Sequence, residues 1–597
     1  MPETENITLY SLPDEILESI FTYLPPVTLA AASATSKRLN KIANEPLLWR
    51  YHCQHTWKYW KDVDKLRAQL AGPAGETQWK EKFLDRKTRD RYIKTRLDAL
   101  LDTQKGRIAR MEALAGLEYD AKDVLLEEME TPQDAEDVLA RRYYSEAILG
   151  LIHRRQATRE WHGLEHDPFP PLERALGAFD LFVLGSRQGD VSDTEAALDR
   201  IAANIRREHR DVDRQHYQQR AVTVASYLRA HGLVGNDDET RDYHALPNNY
   251  MGVALTSDTP STLPLQSAAI YTCVARRLGL NAWPCNYPFH IYVLVDSSDP
   301  STPSIFQEWA ASRTVPRDAI YMDPWRQETP ADREELESKL RHMSIPRANY
   351  YQYMLPALSR DMIQRTGRNI VTSVENARER RGGRRNLRTP DLDLDVDSAF
   401  YSFLWSSMFA LGANGVGEVA LRNYLPYLAE HFQNHYPEDI GLIERYIVPL
   451  MTSTGHPHLD QLILLLEAMR AEDRSDKPQQ KRDGPRTQNV KFKVGQPFQH
   501  MRYGYQGVVV GWDPKCQAQE DWMMNMRVDQ LPRGRNQSFY HVLGEDKSRR
   551  YVAEENIEAL NARPSEALMR IAGAYFKRYE EGSRMFVSNI RDEYPDD

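Results

Sequence analysis

Cysteine is scarce in this 597-residue chain: Cys53, Cys273, Cys285 and Cys516 are the whole supply, and no two form a C-x-x-C pair. That excludes a disulfide scaffold and makes a reducing intracellular compartment, cytoplasm or nucleus, the expected setting. Long apolar runs are missing too. No stretch approaches the roughly 20 apolar residues that cross a bilayer, and no membrane partner is expected. The acidic start Met1-Pro2-Glu3-Thr4-Glu5 lacks the basic-then-apolar pattern of a secretory signal. Positive charge is not in excess: 77 Lys and Arg face 86 Asp and Glu, a net charge of -9. The chain as a whole therefore has no global attraction for nucleic acid or anionic lipid. Glycine (30) and proline (34) are ordinary in number, which removes collagen-like and low-complexity readings. There is no Walker loop, no G-x-S-x-G and no fixed-period repeat.

What is present is ample apolar material, 41% of residues, enough for several cores in a chain whose length suggests about four domains. Apolar residues recur at helical spacing over Arg91–Leu117, Ala135–Arg159 and Ala399–Met469. Two polar stretches read as solvated linkers: 374–397, an Arg-rich half followed by alternating Asp, and 471–489, interrupted by Pro478 and Pro485. After Val490 the pattern turns to short strand-like runs such as Gly507–Trp512.

The segment Ser11–Leu24 places Asp14 three residues after Ser11, with Pro13 between, which predicts a capping box at a helix start. Ile16, Leu17, Ile20, Phe21 and Leu24 then form one apolar face. A Pro25-Pro26 break, a second helix holding Leu29, a third holding Leu39 and Ile42, and Trp49 follow. Three helices in so short a span cannot bury that face alone; it is either the first layer of a larger helical domain or a partner-binding surface. The ordered set Leu12-Pro13, Ile16-Leu17, Ile20, Leu24, Leu29, Leu39 and Trp49 resembles an F-box. The resemblance implies docking on the SKP adaptor of a cullin-RING ubiquitin ligase, with Leu12, Pro13, Ile16, Leu17, Ile20, Leu24, Leu29 and Leu39 as adaptor-binding residues.

Between Pro171 and Trp325 the landmarks LERALGAFDLFVLG (Leu172–Gly185), HGLVGN, LPNNYMGVAL, the run Leu263–Val295 and YMDPW (Tyr321–Trp325) resemble the transglutaminase-like SirB family. Catalytic members of that fold use a Cys at a helix start, a His on a strand and an Asp on the next; the helix start lowers the thiol pKa, His is the base and Asp orients it. The resemblance puts His290 and Asp323 in two of these places, while the nucleophile's place falls at or beside Pro264. Cys273 lies nine residues further on, about 13 Å along a helix, and reads as a packed core thiol. Cys285 sits in a Pro-flanked loop with nothing to position it. The expectation is a non-catalytic domain with His290 and Asp323 as a remnant pair. The competing reading is a hydrolase or acyl-transfer enzyme in which Ser261 or Thr262 supplies the attack.

The string GQPFQHMRYGYQGVVVGWDP, with FYHVL and YVAEENI after it, resembles the YccV/HspQ family, called hemimethylated-DNA-binding, and predicts a small β-barrel over 490–560. Ten basic against nine acidic residues between Val490 and Leu560 leave only +1, poor support for counterion release on DNA. The loop Trp522–Arg535, carrying Met523, Met524 and Met526, suits peptide binding better, because methionine surfaces adapt to varied partners. Tyr505, Trp522, Met524 and Arg533 are the candidate substrate-binding residues, whereas Trp512 and Tyr540 fill the barrel. DNA or chromatin binding through this module is the less favoured alternative.

His431 and His435 stand one helical turn apart with no third ligand identifiable, and His52, Cys53 and His55 lie just beyond Trp49; both groups read as solvated helix faces, and no metal or cofactor is expected. Gly412–Glu418 reads as a turn between helices. The chain is thus expected to be multidomain, mostly α with an α+β centre. The expected parts are an F-box (8–55), a helical connector (56–165), a transglutaminase-like domain (166–330) and a helical extension (331–373). The linker 374–397, a helical segment (398–470), the linker 471–489, the barrel (490–560), and a C-terminal helix and tail (561–597) follow. Together the resemblances imply a substrate receptor of an SCF-type ubiquitin ligase, holding an unidentified protein substrate.

Overall fold

The structure is a computed structural model that describes residues 11–167, 169–185, 187, 189–235, 243–258, 260–298, 318–383, 394–410, 416–485, 487–488, 490–590 and 592–597. The chain folds into two compact units, residues 1–152 with 467–597, and residues 153–466. The first five residues, 384–393 of the 374–397 stretch and 412–415 of the 412–418 turn lie outside the described residues.

The first unit begins with four short helices, α1 (Asp14–Thr22), α2 (Pro26–Ser33), α3 (Lys37–Ala43) and α4 (Pro46–Thr56). The expected capping box does not form. Pro13, extended at ψ 154°, occupies the N-cap position and makes no side-chain cap, so the helix starts at Asp14 itself. Asp14 is engaged by Arg38, whose Nε donates to it at 2.8 Å. Leu17, Phe21, Leu29, Leu39, Ile42 and Leu48 close a small core. On its other side α4 joins Trp49, Cys53, Trp57, Trp60, Trp79 and Phe83 in a second cluster. Behind it the buried Arg86 guanidinium bonds Asp120 at 2.6 Å, while Trp57 Nε1 donates to Asp90 at 2.9 Å. The expected helix Arg91–Leu117 is two, Trp79–Leu101 and Arg107–Ala115. Gly106, at φ +67°, breaks it, and the Asp473 carbonyl and carboxylate accept the Gly106 and Ile108 amides that the break leaves free.

The second unit is helical around a three-stranded antiparallel sheet of order β1 (Asn281–Pro284), β2 (Val293–Asp296) and β3 (Ile320–Met322). The helix Pro264–Arg277 is buried from Pro264 through Ala275 and packs beside β1. Helix Ser359–Gly383 absorbs the start of the expected charged linker, because Val374 falls on its buried face; Leu394 and Val396 are buried as well. The expected helical run 399–469 is several pieces, principally Val396–Ala410, Val416–His435 and Leu459–Arg474, the last extending into the first unit's residues. Gly455 at φ +60° makes one of the breaks. Arg154, buried, pairs with Glu438 at 2.8 Å and Asp439 at 2.7 Å.

The rest of the first unit is a five-stranded antiparallel sheet, β7-β6-β5-β4-β8, built from β4 (Pro497–His500), β5 (Gln506–Asp513), β6 (Phe539–Gly544), β7 (Arg549–Ala553) and β8 (Ile557–Ala559). The expected C-terminal helix and tail is more structured than that: helix Glu566–Ala572 is followed by a hairpin of β9 (Phe576–Glu580) and β10 (Met585–Ser588). Phe576, Phe586 and Ile590 enter the same core as Phe498, Trp512 and Tyr540. The second expected linker is not solvated throughout. Arg482 donates to the Val490 and Phe492 carbonyls at 2.7 and 2.8 Å and pairs with Asp597, whose carboxylate also accepts Trp512 Nε1 at 2.8 Å. Val138 and Leu139 belong to this core too, and Gly573 lies so close that a Cβ there would sit 2.1 Å from the Leu139 carbonyl oxygen. The N-terminal helices and the C-terminal sheet thus share one unit.

In the second unit Asp180 is fully buried, and its Oδ1 accepts the Val253 amide at 3.0 Å; desolvation lifts its pKa to about 8. The folded pKa lies above the unfolded value of about 3.9, so the folded state holds the extra proton. That stability is fully present below about pH 4 and is lost as pH rises through about 8. Asp180→Asn keeps the accepting oxygen and cannot ionise. Thermal unfolding followed from about pH 5 to 8 should lose stability less steeply in the variant, by up to about 1.4 kcal/mol per pH unit; identical slopes would refute the buried protonated carboxyl.

Candidate functional site

Three places carry chemistry. The first is the outer surface of α1–α4. Helical spacing divides the apolar residues of α1 between two directions: Leu17 and Phe21 point into the core, Ile16 and Ile20 into solvent. Of the eight residues expected to bind an adaptor, Leu17, Leu29 and Leu39 are core residues, 5% exposed or less. Leu12 and Leu24 are half-buried, and Pro13, Ile16 and Ile20 are exposed. Three further apolar side chains stand open nearby in sequence: Tyr23 at 83%, Val27 at 82% and Leu47 at 63%. Periodicity marked α1 but missed these three, because α2 and α4 begin at prolines with no amphipathic pattern to read.

The second is the pair expected from His290 and Asp323, which the fold does bring together. His290 lies three residues before β2 and Asp323 directly after β3; Nε2 of the buried imidazole stands 2.8 Å from Asp323 Oδ2. The ring packs edge-on to Tyr292, centroids 4.9 Å apart. Trp325 Nε1 donates to the Thr262 carbonyl at 2.9 Å, tying the strand end to the start of helix Pro264–Arg277. Arg365, unmarked in the sequence, donates to Asn286 Oδ1 and to the Tyr287 and His290 carbonyls at 2.7–3.1 Å and so holds the loop that carries the imidazole. Burial and the neighbouring Arg368 lower the Arg365 pKa to about 10.

No thiolate stands beside this pair. Pro264, the position expected for a nucleophile, is the first residue of its helix. Cys273 is buried with Sγ 3.2 Å from Glu173, and desolvation followed by that carboxylate drives its pKa well up. Cys285 is buried against the Met354 carbonyl, and burial pushes it to about 12. Cys53 is likewise pushed up to about 12. Thr262 Oγ1 is spent on Ser267 Oγ at 2.6 Å, while the buried Ser261 Oγ makes no hydrogen bond.

The third is a cavity of about 1270 Å³ in the C-terminal sheet. Tyr505 and Trp522 line it; Met524 and Arg533 do not. Met524 is 66% exposed, and Arg533 is committed to Glu554 at 2.8 Å. Tyr505 carries the Arg550 guanidinium over its ring at 4.1 Å, and Trp522 leans on Tyr551, centroids 5.7 Å apart. Tyr503, Met526 and His541, which sequence reasoning did not select, line it as well. Trp512 and Tyr540 are buried in the core.

Among the described residues no group of three or more His, Cys, Asp or Glu is arranged to hold a metal ion, and no helix is long and apolar enough to cross a membrane. His431 and His435 face each other at 5.3 Å with rings packed among aromatics, and His52 packs against Trp49.

These sites belong to three recognisable classes of domain. Residues 9–55 match the F-box-like model, 192–368 the transglutaminase-like superfamily, and 490–583 the hemimethylated DNA-binding protein YccV like model. The last match runs past the expected boundary at 560 and takes in β9. The chain is similar along its whole length to F-box only protein 21: it is 23% identical to the Homo sapiens protein over 647 residues, covering 100% of this chain and 93% of the relative. The Mus musculus protein is also 23% identical, with 99% and 92% covered. A 75-residue stretch is 36% identical to F-box/WD repeat-containing protein 15 of Mus musculus, 13% of this chain. No solved structure matches the chain.

The thiol environments have a direct readout. Iodoacetamide at neutral pH should leave Cys53, Cys273 and Cys285 unmodified in the native protein and alkylate them after denaturation, as scored by mass spectrometry. Rapid native labelling of Cys273 or Cys285 that disappears in His290→Ala would instead reveal a working thiolate.

Proposed function

We propose that this chain is the substrate-recognition subunit of an SCF-type cullin-RING ubiquitin ligase, with the F-box engaging the SKP adaptor. The observation that carries the proposal is the row of apolar side chains left in solvent on α1–α4. Leaving Ile16, Ile20, Tyr23, Val27 and Leu47 wet forgoes about 25 cal/mol for every Å² that a partner would cover. In this reading Pro13, Ile16 and Ile20 touch the adaptor with Leu12 and Leu24 at the margin, while Leu17, Leu29 and Leu39 act by holding the face in shape. The similarity to F-box only protein 21 supports the same reading.

The central domain acts as a platform. His290 and Asp323 are a retained structural pair, since acyl transfer through this fold needs a nucleophile beside the base and Pro264 supplies none. Ubiquitin transfer is performed by the bound ligase, and the receptor contributes proximity, raising the effective concentration of target lysines. The target protein is held by the central and C-terminal modules. Duplex DNA is a poorer fit to the latter because residues 490–560 carry a net charge of only +1, and Arg533 and Arg535 are neutralised by Glu554, Asp529 and Glu520. The proposed domain limits keep the F-box at 8–55 and the transglutaminase-like domain from 166, and carry the YccV-like module through β10.

Co-precipitation with adaptor and cullin tests the assignment. Ile16→Asp combined with Ile20→Asp, both exposed, should leave the melting temperature unchanged and cut adaptor recovery at least about tenfold, a loss of about 1.4 kcal/mol or more. Leu17→Ala should act differently, costing about 2–5 kcal/mol of stability through the cavity it opens. Full adaptor recovery by the double variant would sink the F-box reading.

A further inference from the structure

The edge strand β7 is unusual in its surroundings. Its inner side pairs with β6 from Leu543↔Arg549 to Phe539↔Ala553, and β7 ends the sheet. Among the described residues, no main-chain group of Arg549–Ala553 makes a backbone hydrogen bond beyond that ladder. Exposed edges of this kind are ordinarily blunted by proline, a bulge or a covering loop. Here no proline interrupts the strand, and all five of its residues line the 1270 Å³ cavity. Val552 and Ala553 are buried, 6% and 3% exposed, so the accessible edge is Arg549–Tyr551, about 10 Å of strand.

The charge around that edge is unbalanced. Lys477, Arg502 and Arg549 line the cavity and are exposed, and none has a carboxylate within ion-pair distance among the described residues. Arg502 lies over Tyr503 at 5.4 Å and Arg549 over Tyr575 at 5.7 Å, so the aromatic faces hold the guanidinium groups extended. Arg550, over Tyr505, is the exception, paired with Asp546. The acids on the lining are Glu472 and Glu593. The wall therefore offers backbone pairing, aromatic surface and surplus positive charge together.

We propose that β7 is a strand-addition site for an extended acidic peptide, whose main chain pairs with Arg549–Tyr551 while its carboxylates meet Arg502, Arg549 and Lys477. This names the class of segment read on the target and rests on the receptor function proposed above. Main-chain pairing supplies the affinity and the unpaired cations the selection, the division of labour of β-augmentation. A nucleic acid has no repeating N–H and C=O groups to offer the edge.

The full chain and a fluorescein-labelled peptide of alternating glutamate and valine provide the test, read by fluorescence anisotropy. The peptide should bind; a lysine–valine counterpart and a version N-methylated at alternate amides should not. Arg502→Glu combined with Arg549→Glu should weaken binding at least about tenfold with the melting temperature unchanged; the same pair changed to Gln serves if the reversal impairs folding. Equal binding of the methylated or lysine peptide, indifference to both double variants, or displacement by an equal concentration of duplex DNA would overturn the proposal. Adaptor co-precipitation reports separately. Its success with no peptide binding removes only the strand-addition site, whereas peptide binding without adaptor removes the ligase role and leaves the site.

Discussion

The buried layer behind α4 is the interaction on which the N-terminal part of the molecule depends. Four helices in under fifty residues have too little interior to stand alone. Trp49, Trp57, Trp60, Trp79 and Phe83 extend that interior into the connector, and Arg86 secures it with carboxylates from the helices behind. A guanidinium buried this deeply is tolerable because Asp90, Asp120 and Asp123 all reach it. With stability drawn from this side, the opposite side of α1 is free to keep Ile16 and Ile20 in water. An exposed apolar face on a stable support is what a recognition surface requires.

The central domain pairs a buried histidine with a buried aspartate. A buried imidazole 2.8 Å from a carboxylate is the base-and-orienter half of a thiol mechanism. Neither Cys273 nor Cys285 completes it as a thiolate. Proline occupies the helix start, and Cys273 and Cys285 sit in environments that oppose ionisation. Arg365 and Trp325 hold the loop and strand ends in place around the pair.

Much of the architecture was legible in the residues. The apolar periodicity of Ile16–Leu24, the Gly-punctuated strands after Val490 and the His290–Asp323 pairing all reappear in the structure. The errors have a common cause. The charged stretch after Val374 and the polar one after Ala471 were taken for linkers because their composition is polar. Helix Ser359–Gly383 nonetheless takes in the start of the first, and Arg482 is locked onto Val490, Phe492 and Asp597 in the second. Composition records how much a segment can bury, not whether a few of its side chains find partners. Tyr23, Val27 and Leu47 were overlooked for the converse reason: an isolated apolar residue carries no period.

The sequence by itself determined the local elements, the classes of domain they resemble and the absence of a nucleophile at Pro264, since these follow from residue type and spacing along one segment. Only the tertiary structure decided which half of the apolar residues in α1 faces solvent. It alone joined Leu139 to Gly573, putting the first and last parts of the chain into one unit, locked Arg482 onto Asp597, and left the edge of β7 at the end of its sheet beside Arg502 and Arg549. Burial, pairing and charge balance are properties of neighbours distant in sequence, and no local pattern encodes them.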